Sequence, residues 1–167
     1  MNKLLAEYKY ELGEIDKGYT NRTLHVNISD NIINSKPVTQ MMKEKFVGGK
    51  GFGLWYLWNA TTPSTKWDDP ENEIIIAGGP ACGITQYAGT GKSLVCSISP
   101  LTDIPIDSNV GGYFGPLLKF SGWDALEIQG KSDKDIIVYI DGNNGVNNIM
   151  IPRLVLFSTH QIGRAHV

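Results

Sequence analysis

The run "AGTGKS", residues Ala88 to Ser93, ends in the Gly-Lys-Ser that closes a nucleotide-binding P-loop. That motif is G-x-x-x-x-G-K-[ST] between a strand and a helix: backbone N–H groups wrap the phosphates, the Lys reaches the terminal ones and the hydroxyl binds magnesium. Counting back from Gly91, the first glycine belongs at position 86, where this chain has Gln86. The segment after Ser93 should be a helix with its dipole facing the phosphate. Instead Val95, Cys96 and Ile98 with Ser97 and Ser99 favour a strand, and Pro100 cuts any helix short. "IIVYID", ending at Asp141, imitates the acidic strand of a nucleotide-hydrolysing enzyme, but apolar strands ending in Asp are common. The motif is partial and sits in the wrong context.

The glycines still need a physical role. Between "IIIAGGP" and "SPLTD" the chain places Gly78, Gly79, Gly83, Gly89 and Gly91 beside Lys92, and Gly111-Gly112 follow the polar Asp107-Ser108-Asn109. Two glycine loops with one cation can hold an anionic ligand through backbone N–H groups and a charge-assisted contact. Tight turns between antiparallel strands account for the same residues.

The elements that must position these loops read as strand-rich α+β with hairpin connections. Residues 2 to 16 read as a short polar helix. "TNRTLHVNIS" alternates Leu24, Val26 and Ile28 with Thr23, His25 and Asn27 as a half-buried strand, with His25 on the solvent face, and Ser29-Asp30-Asn31 turns it into a hairpin with Ile32 and Ile33. Thr39 is the N-cap of "QMMKEKF", and "GGKG" at 48 to 51 stops that helix before the apolar segment "FGLWYLWNA". Lys50 then reads as a helix-end Lys, and Phe52, Trp55, Tyr56 and Trp58 as core. "TTPSTKWDDPEN" is a surface loop and "EIIIA" a buried strand. "SLVCSIS" is a strand, "DSNVGG" a loop, and "YFGPLLKFSG" a helix closed by Gly122 with Pro116 in its first turn. "DALEIQG", "DIIVYID" and "VNNIMI" complete the strands, the last two joined by the Asp141–Gly145 turn.

The chain has 167 residues, enough for one domain that buries roughly 70% of its unfolded surface. With 41% apolar residues, 19% charged residues and a formal charge of −2, it has no basic footprint for nucleic acid. Cys82 and Cys96 supply neither a disulfide framework nor a full set of metal thiolates, and read as small apolar residues in a reducing cytoplasm. No segment is apolar enough for a signal peptide or a membrane span. The end, "THQIGRAHV", joins no earlier pattern, and "IGRAHV" matches one reading frame of a common sequencing adapter. Residues 152–167, with His160 and His166, are therefore expected to be a read-through scar.

In order, "RTLHVNIS", "FVGGKGFG", "DPENEIIIAGGP", "SPLTD", "SNVGGYFGPLLKFSGWDALEIQGK" and "VYID" resemble the N-terminal domain of the tungsten-dependent aldehyde:ferredoxin oxidoreductase family. The resemblance spans residues 19 to 145 and implies a domain over 19–151 behind an extension, 1–18. It implies a saddle-like α+β base of mainly antiparallel sheets for a bis-pterin tungsten or molybdenum centre, whose two pterin phosphates share a magnesium ion. By the same resemblance the backbone carbonyl of Asn109 goes to magnesium, and Val110, Gly111 and Gly112 lie against pterin or its phosphate. Lys92 stands where the family usually has Arg, a substitution that keeps the charge and loses the planar fork. The complete family enzyme oxidises aldehydes to carboxylic acids and passes electrons through a [4Fe-4S] cluster to ferredoxin, and a homodimer is compatible with it. Benzoyl-CoA-reducing subunits share this base domain. The cluster cysteines, the pterin-gripping Asp-x-x-Gly-Leu motifs and the acid/base residues belong to later domains, so this chain alone is not expected to turn over aldehyde. The competing readings are a P-loop nucleotide-binding protein and a non-catalytic pterin-binding or structural module.

Overall fold

The computed structural model of the protein describes residues 3–151. In chain order these form β1 (Lys3–Lys9), β2 (Arg22–Asn27), β3 (Ile32–Pro37), α1 (Gln40–Phe46), α2 (Lys50–Ala60), β4 (Glu73–Ala77), β5 (Ser93–Ile98), β6 (Pro105–Val110), α3 (Phe114–Phe120), β7 (Ala125–Gln129), β8 (Ile137–Asp141) and β9 (Val146–Ile151). One sheet has six strands in the order β3-β2-β7-β4-β5-β6, and the other three in the order β1-β9-β8. Neighbours pair antiparallel except β2 and β7, which run parallel. The fold is α+β, with the two hairpins β2–β3 and β8–β9 where their turn residues predict them.

Because side chains alternate along a strand, the large sheet has two distinct faces. Leu24, Val26 and Leu126 meet Trp123, Leu118 and Ile149 on the face covered by the small sheet and α3. Ile75, Ala77 and Ala125 meet Phe52, Tyr56 and Leu57 of α2 and Met42 of α1 on the other. Thr39 caps α1 by accepting from the Met42 N–H at 3.2 Å. At Gly53 the helix lies so close to β5 that an added Cβ would overlap Cys96 Sγ and come within 2.9 Å of Cys96 Cβ.

Four expectations are corrected. Residues 3 to 9 form β1 rather than a helix: Ala6 and Tyr8 turn inward between the exposed Glu7 and Lys9, and pairing with β9 overrides the helix-forming residue types. Residues 107 to 110 of the predicted loop "DSNVGG" belong to β6, because backbone pairing with β5 makes an edge strand out of residues with poor strand preference. Trp58 is 80% exposed, since it falls on the outer side of α2. His25 is buried, not solvent-facing, because β3 and β7 flank its strand and a polar cluster fills its side of the sheet.

That cluster lies where α2 ends. Glu73 and Glu127 are each 1% exposed. Lys36 Nζ donates to Glu127 Oε2 at 2.7 Å, His25 Nε2 is 3.9 Å from Glu73 Oε1, and the hydroxyls of Thr23 and Tyr56 are 2.6 Å apart. Burial, then the neighbouring Glu127 charge, raises Glu73 to about 8, while Lys36 opposes the shift. Burial also raises Glu127 and lowers His25.

This packing sets two expected outcomes. Gly53→Ala should cost about 1–3 kcal/mol by overpacking against Cys96, and the double variant with Cys96→Ala should recover part of that loss in chemical denaturation. Glu73 binds its proton more tightly folded than unfolded, so its contribution to stability falls as pH rises from 4.5 to about 8 and levels off above. Glu73→Gln should flatten this alkaline-side decline in the unfolding midpoint. It should leave the acid-side loss below 6.5 that comes from the lowered His25 value.

Candidate functional site

Lys92 immediately precedes β5, Asn109 and Val110 end β6, and Gly111 and Gly112 follow. Antiparallel pairing sets Leu94 opposite Asn109 and Ser93 opposite Val110. The Lys92 side chain lies over Gly111: a Cβ there would stand 3.3 Å from Nζ and 3.8 Å from Cε. The two glycine loops meet backbone to backbone, since a Cβ on Gly91 would come within 2.9 Å of the Gly112 carbonyl oxygen. Lys92, Asn109 and Gly111 share the α2 face of the sheet. Val110, one residue out of phase, projects to the other face.

The cavity on the α2 face, about 300 Å³, is lined by Lys92, Leu94 and Asn109 from the sheet and by Gly48, Gly49 and Lys50 from the start of α2. Gly49 caps α2 without a side-chain bond, so the positive end of the helix opens on the cavity. Lys50 is the first residue of α2, an unfavourable place for a cation. Its ammonium is 2.6 Å from Asp107 Oδ1, and that bond raises its pKa. Lys92 has no ion-pair partner among the described residues. One free ammonium, a helix N-terminus and exposed glycine backbone make a donor set for an anion of phosphate size.

The hydrogen-bond phase of the β5–β6 ladder decides what Asn109 presents. Ser99 N–H donates to the Ile104 carbonyl at 2.9 Å, and bonded pairs then recur every second residue, at Ser97–Ile106, Val95–Ser108 and Ser93–Val110. Asn109 opposite Leu94 falls between them, as does Pro105, which has no N–H to give. Since β6 is an edge strand, the Asn109 carbonyl points out of the ladder with no strand to meet it.

The site is braced from below. Gly49 N–H donates to Gly78 O at 2.9 Å, and Gly78 N–H donates to Asp124 O at 3.2 Å. A Cβ on Gly48 would sit 2.8 Å from Gly78 O, so this approach requires glycine. Val47, just before it, is held at φ 62, a region a β-branched residue avoids, with its carbonyl accepting from Tyr19 OH at 2.6 Å.

The P-loop reading fails on geometry. Ser93 opens a strand, not a helix, and its hydroxyl is buried against Gly115 of α3, on the sheet face opposite Lys92. The Lys and the hydroxyl cannot meet one nucleotide. Among the described residues no three His, Cys, Asp or Glu side chains converge as a metal site, and Cys82 and Cys96 are free and buried. No helix there is long and apolar enough to cross a membrane. His160 and His166 lie outside the described residues, as does the tail expected to be a scar. The sequence reading missed the part played by Gly48, Gly49 and Gly78, although the glycine pairs in "GGKG" and "AGGP" carried the signal.

Comparisons with known proteins place the chain in a family and match its fold. The profile of the aldehyde ferredoxin oxidoreductase N-terminal domain family matches residues 23–152. The chain is 39% identical over 127 residues to the tungsten-containing aldehyde ferredoxin oxidoreductase of Pyrococcus horikoshii, covering 76% of this chain and 21% of that protein. It is 30% identical over 127 residues to the WOR-like subunit of an aliphatic sulfonate oxidoreductase of Pyrococcus furiosus, covering 73% and 20%. A solved structure of the active-site complex BamBC of benzoyl coenzyme A reductase, in complex with 1,5 dienoyl-CoA, superposes with a TM-score of 0.75 at 29% identity, covering 80% of this chain and 20% of that one. The chain thus spans about a fifth of the length of the relatives it matches. It belongs, by its N-terminal domain, to the aldehyde ferredoxin oxidoreductase family.

Proposed function

We propose that this domain holds a pterin phosphate of a bis-pterin tungsten centre, as the base of an oxidoreductase that converts aldehydes to carboxylic acids. The observation that carries the reading is that Lys92, whose side chain lies along Gly111, lines one cavity together with the N-terminal end of α2. The residues fit the group. The ammonium of Lys92 supplies a point charge to one phosphate oxygen, and the first turn of α2 supplies oriented N–H dipoles. Gly111 and Gly112 let a flat or anionic group approach the backbone without meeting a side chain. Val110 contributes through its backbone only, as its side chain faces away. The outward carbonyl of Asn109 suits a magnesium ion shared by phosphates, a hard cation that takes oxygen ligands.

The cavity matches a phosphate and the edge of a ring, not two whole pterins, so the rest of the cofactor is enclosed by later parts of the full-length protein. When bound, the metal and its pterins would supply the oxygen-transfer and redox chemistry, with a [4Fe-4S] cluster held by later domains and cytoplasmic ferredoxin as the expected electron acceptor. This domain's own residues bind, orient and neutralise. Residues 19–151 are the unit that does so, behind a short extension whose β1 is paired into the small sheet.

In the full-length enzyme, Lys92→Ala should lower pterin and tungsten content per protein. Losing a hydrogen bond to a charged group costs about 1.5–3 kcal/mol, roughly ten- to hundredfold in retention. Lys92→Arg should keep or raise the content, and unchanged content in Lys92→Ala removes Lys92 from the site. Titration with ATP or GTP and magnesium should show no tight binding, and tight binding would restore the nucleotide reading.

A further inference from the structure

The ion pair of Lys50 and Asp107 ties α2 to β6. That strand is the edge of the large sheet, exposed at every residue but Val110, and its one neighbour in the sheet is β5. Lys50, the first residue of α2, reaches across to it, with its ammonium 2.6 Å from Asp107 Oδ1. The polarity of this bridge is the wrong one for the helix. A cation in the first turn opposes the helix dipole and an anion there favours it, so the opposite arrangement of the two charges would make the same bridge with a more stable α2. Nothing else in that turn offsets the Lys50 charge: it has no acidic residue, and Gly49 gives no side-chain cap.

We propose, on the phosphate reading of the cavity, that this polarity serves the anion: Lys50 is a second cationic ligand beside Lys92, holding Asp107 with one N–H and the anion with another. Among the described residues lining the cavity, the charged side chains are those of Lys50 and Lys92, and no carboxylate is with them. An ammonium carries three N–H donors, and the bridge to Asp107 leaves others for a ligand. The Lys50 side chain is 55% exposed against 27% for Asp107, so the cation is the more accessible half of the pair. With the charges reversed, a carboxylate would line the cavity and repel the anion that Lys92 attracts.

Asp107 then has a positioning task. It precedes Asn109 by two residues and projects to the same sheet face, opposite Cys96 as Asn109 is opposite Leu94. Tying the Lys50 ammonium to Asp107 therefore keeps the first turn of α2 in register with the end of the edge strand that carries Asn109, Gly111 and Gly112.

Exchanging the two residues separates bridging from binding. In the ligand-free chain, Lys50→Asp combined with Asp107→Lys should raise the thermal midpoint by about 2–4 °C, because the bridge is kept and the dipole is now favoured. Inorganic pyrophosphate, titrated at constant ionic strength and followed by its phosphorus NMR signal, should bind the exchanged chain at least about tenfold more weakly than the unmodified one. Lys50→Gln, which requires no new bridge, should weaken it about three- to tenfold. A lower midpoint in the exchanged chain would overturn the dipole argument, and unchanged pyrophosphate affinity in Lys50→Gln would overturn the ligand assignment, leaving the pair as a bridge alone. Lys92→Ala tells this failure from that of the phosphate reading. Binding lost in Lys92→Ala but kept in Lys50→Gln removes Lys50 and leaves the site standing, whereas no binding by the unmodified chain overturns both.

Discussion

The buried carboxylate of Asp124 is the contact on which the rest of the domain depends. It is 1% exposed, accepts from the backbone N–H groups of Thr20 and Asn21 at 3.0 and 2.9 Å, and is paired with the ammonium of Lys119, itself 4% exposed. Its own backbone N–H donates to Arg22 O at 2.9 Å, which starts β2 and β7 in their parallel register. Lys119 also donates to Gly18 O at 2.9 Å, so one ion pair fixes the end of α3, the entry to β2 and the start of β7. Breaking a buried pair by removing one partner costs about 3–5 kcal/mol, because the other charge is stranded. The effect reaches the cavity: from Asp124 O to Gly78 and from Gly78 O to Gly49, two hydrogen bonds link this anchor to the N-terminal end of α2. The position of the cavity beside Lys92 is thus a consequence of how the sheet is pinned.

Much of the domain was legible in local chemistry. The hairpin turns, the Thr39 cap, the glycine stop before α2 and the strand "EIIIA" each follow from residue types whose preference agrees with their tertiary setting, although that strand alternates, with Ile74 47% exposed, and is not buried throughout. The misses share another cause. β1 is written in helix-forming residues and β6 in turn-forming ones, and both are strands only because a distant partner supplies the hydrogen bonds. The burial of His25 was invisible for a similar reason: an alternating strand reads as half-buried, and nothing local says that a polar cluster beside α2 covers its second face.

The candidate anion site was half legible. Lys92, Asn109 and the glycine pair stand close in sequence to residues that turn, so their role as loop residues was evident. That they face a helix end contributed by residues 48–50 depends on a crossing of α2 over β5, permitted by the missing Cβ at Gly53. Spacing within "AGTGKS" suggested a nucleotide loop, and strand alternation dissolves it, because Lys92 and the Ser93 hydroxyl are neighbours in sequence and face opposite sides of one sheet.

α2 then has opposite electrostatic tasks at its two ends. Its first turn faces Lys92 and a cavity suited to an anion, and its last turn faces two buried carboxyls. The helix dipole favours the first placement and opposes the second, where burial and the negative pole together make an uncompensated charge costly. That the cation here is a Lys and not an Arg sharpens the contrast. A guanidinium grips two phosphate oxygens in one plane, whereas the ammonium of Lys92, lying along Gly111, reaches as a point charge. With less geometric control from the side chain, orientation of the proposed anion would fall to the backbone dipoles of α2 and the glycine loops. Those are the groups that the chain from Asp124 through Gly78 holds in place.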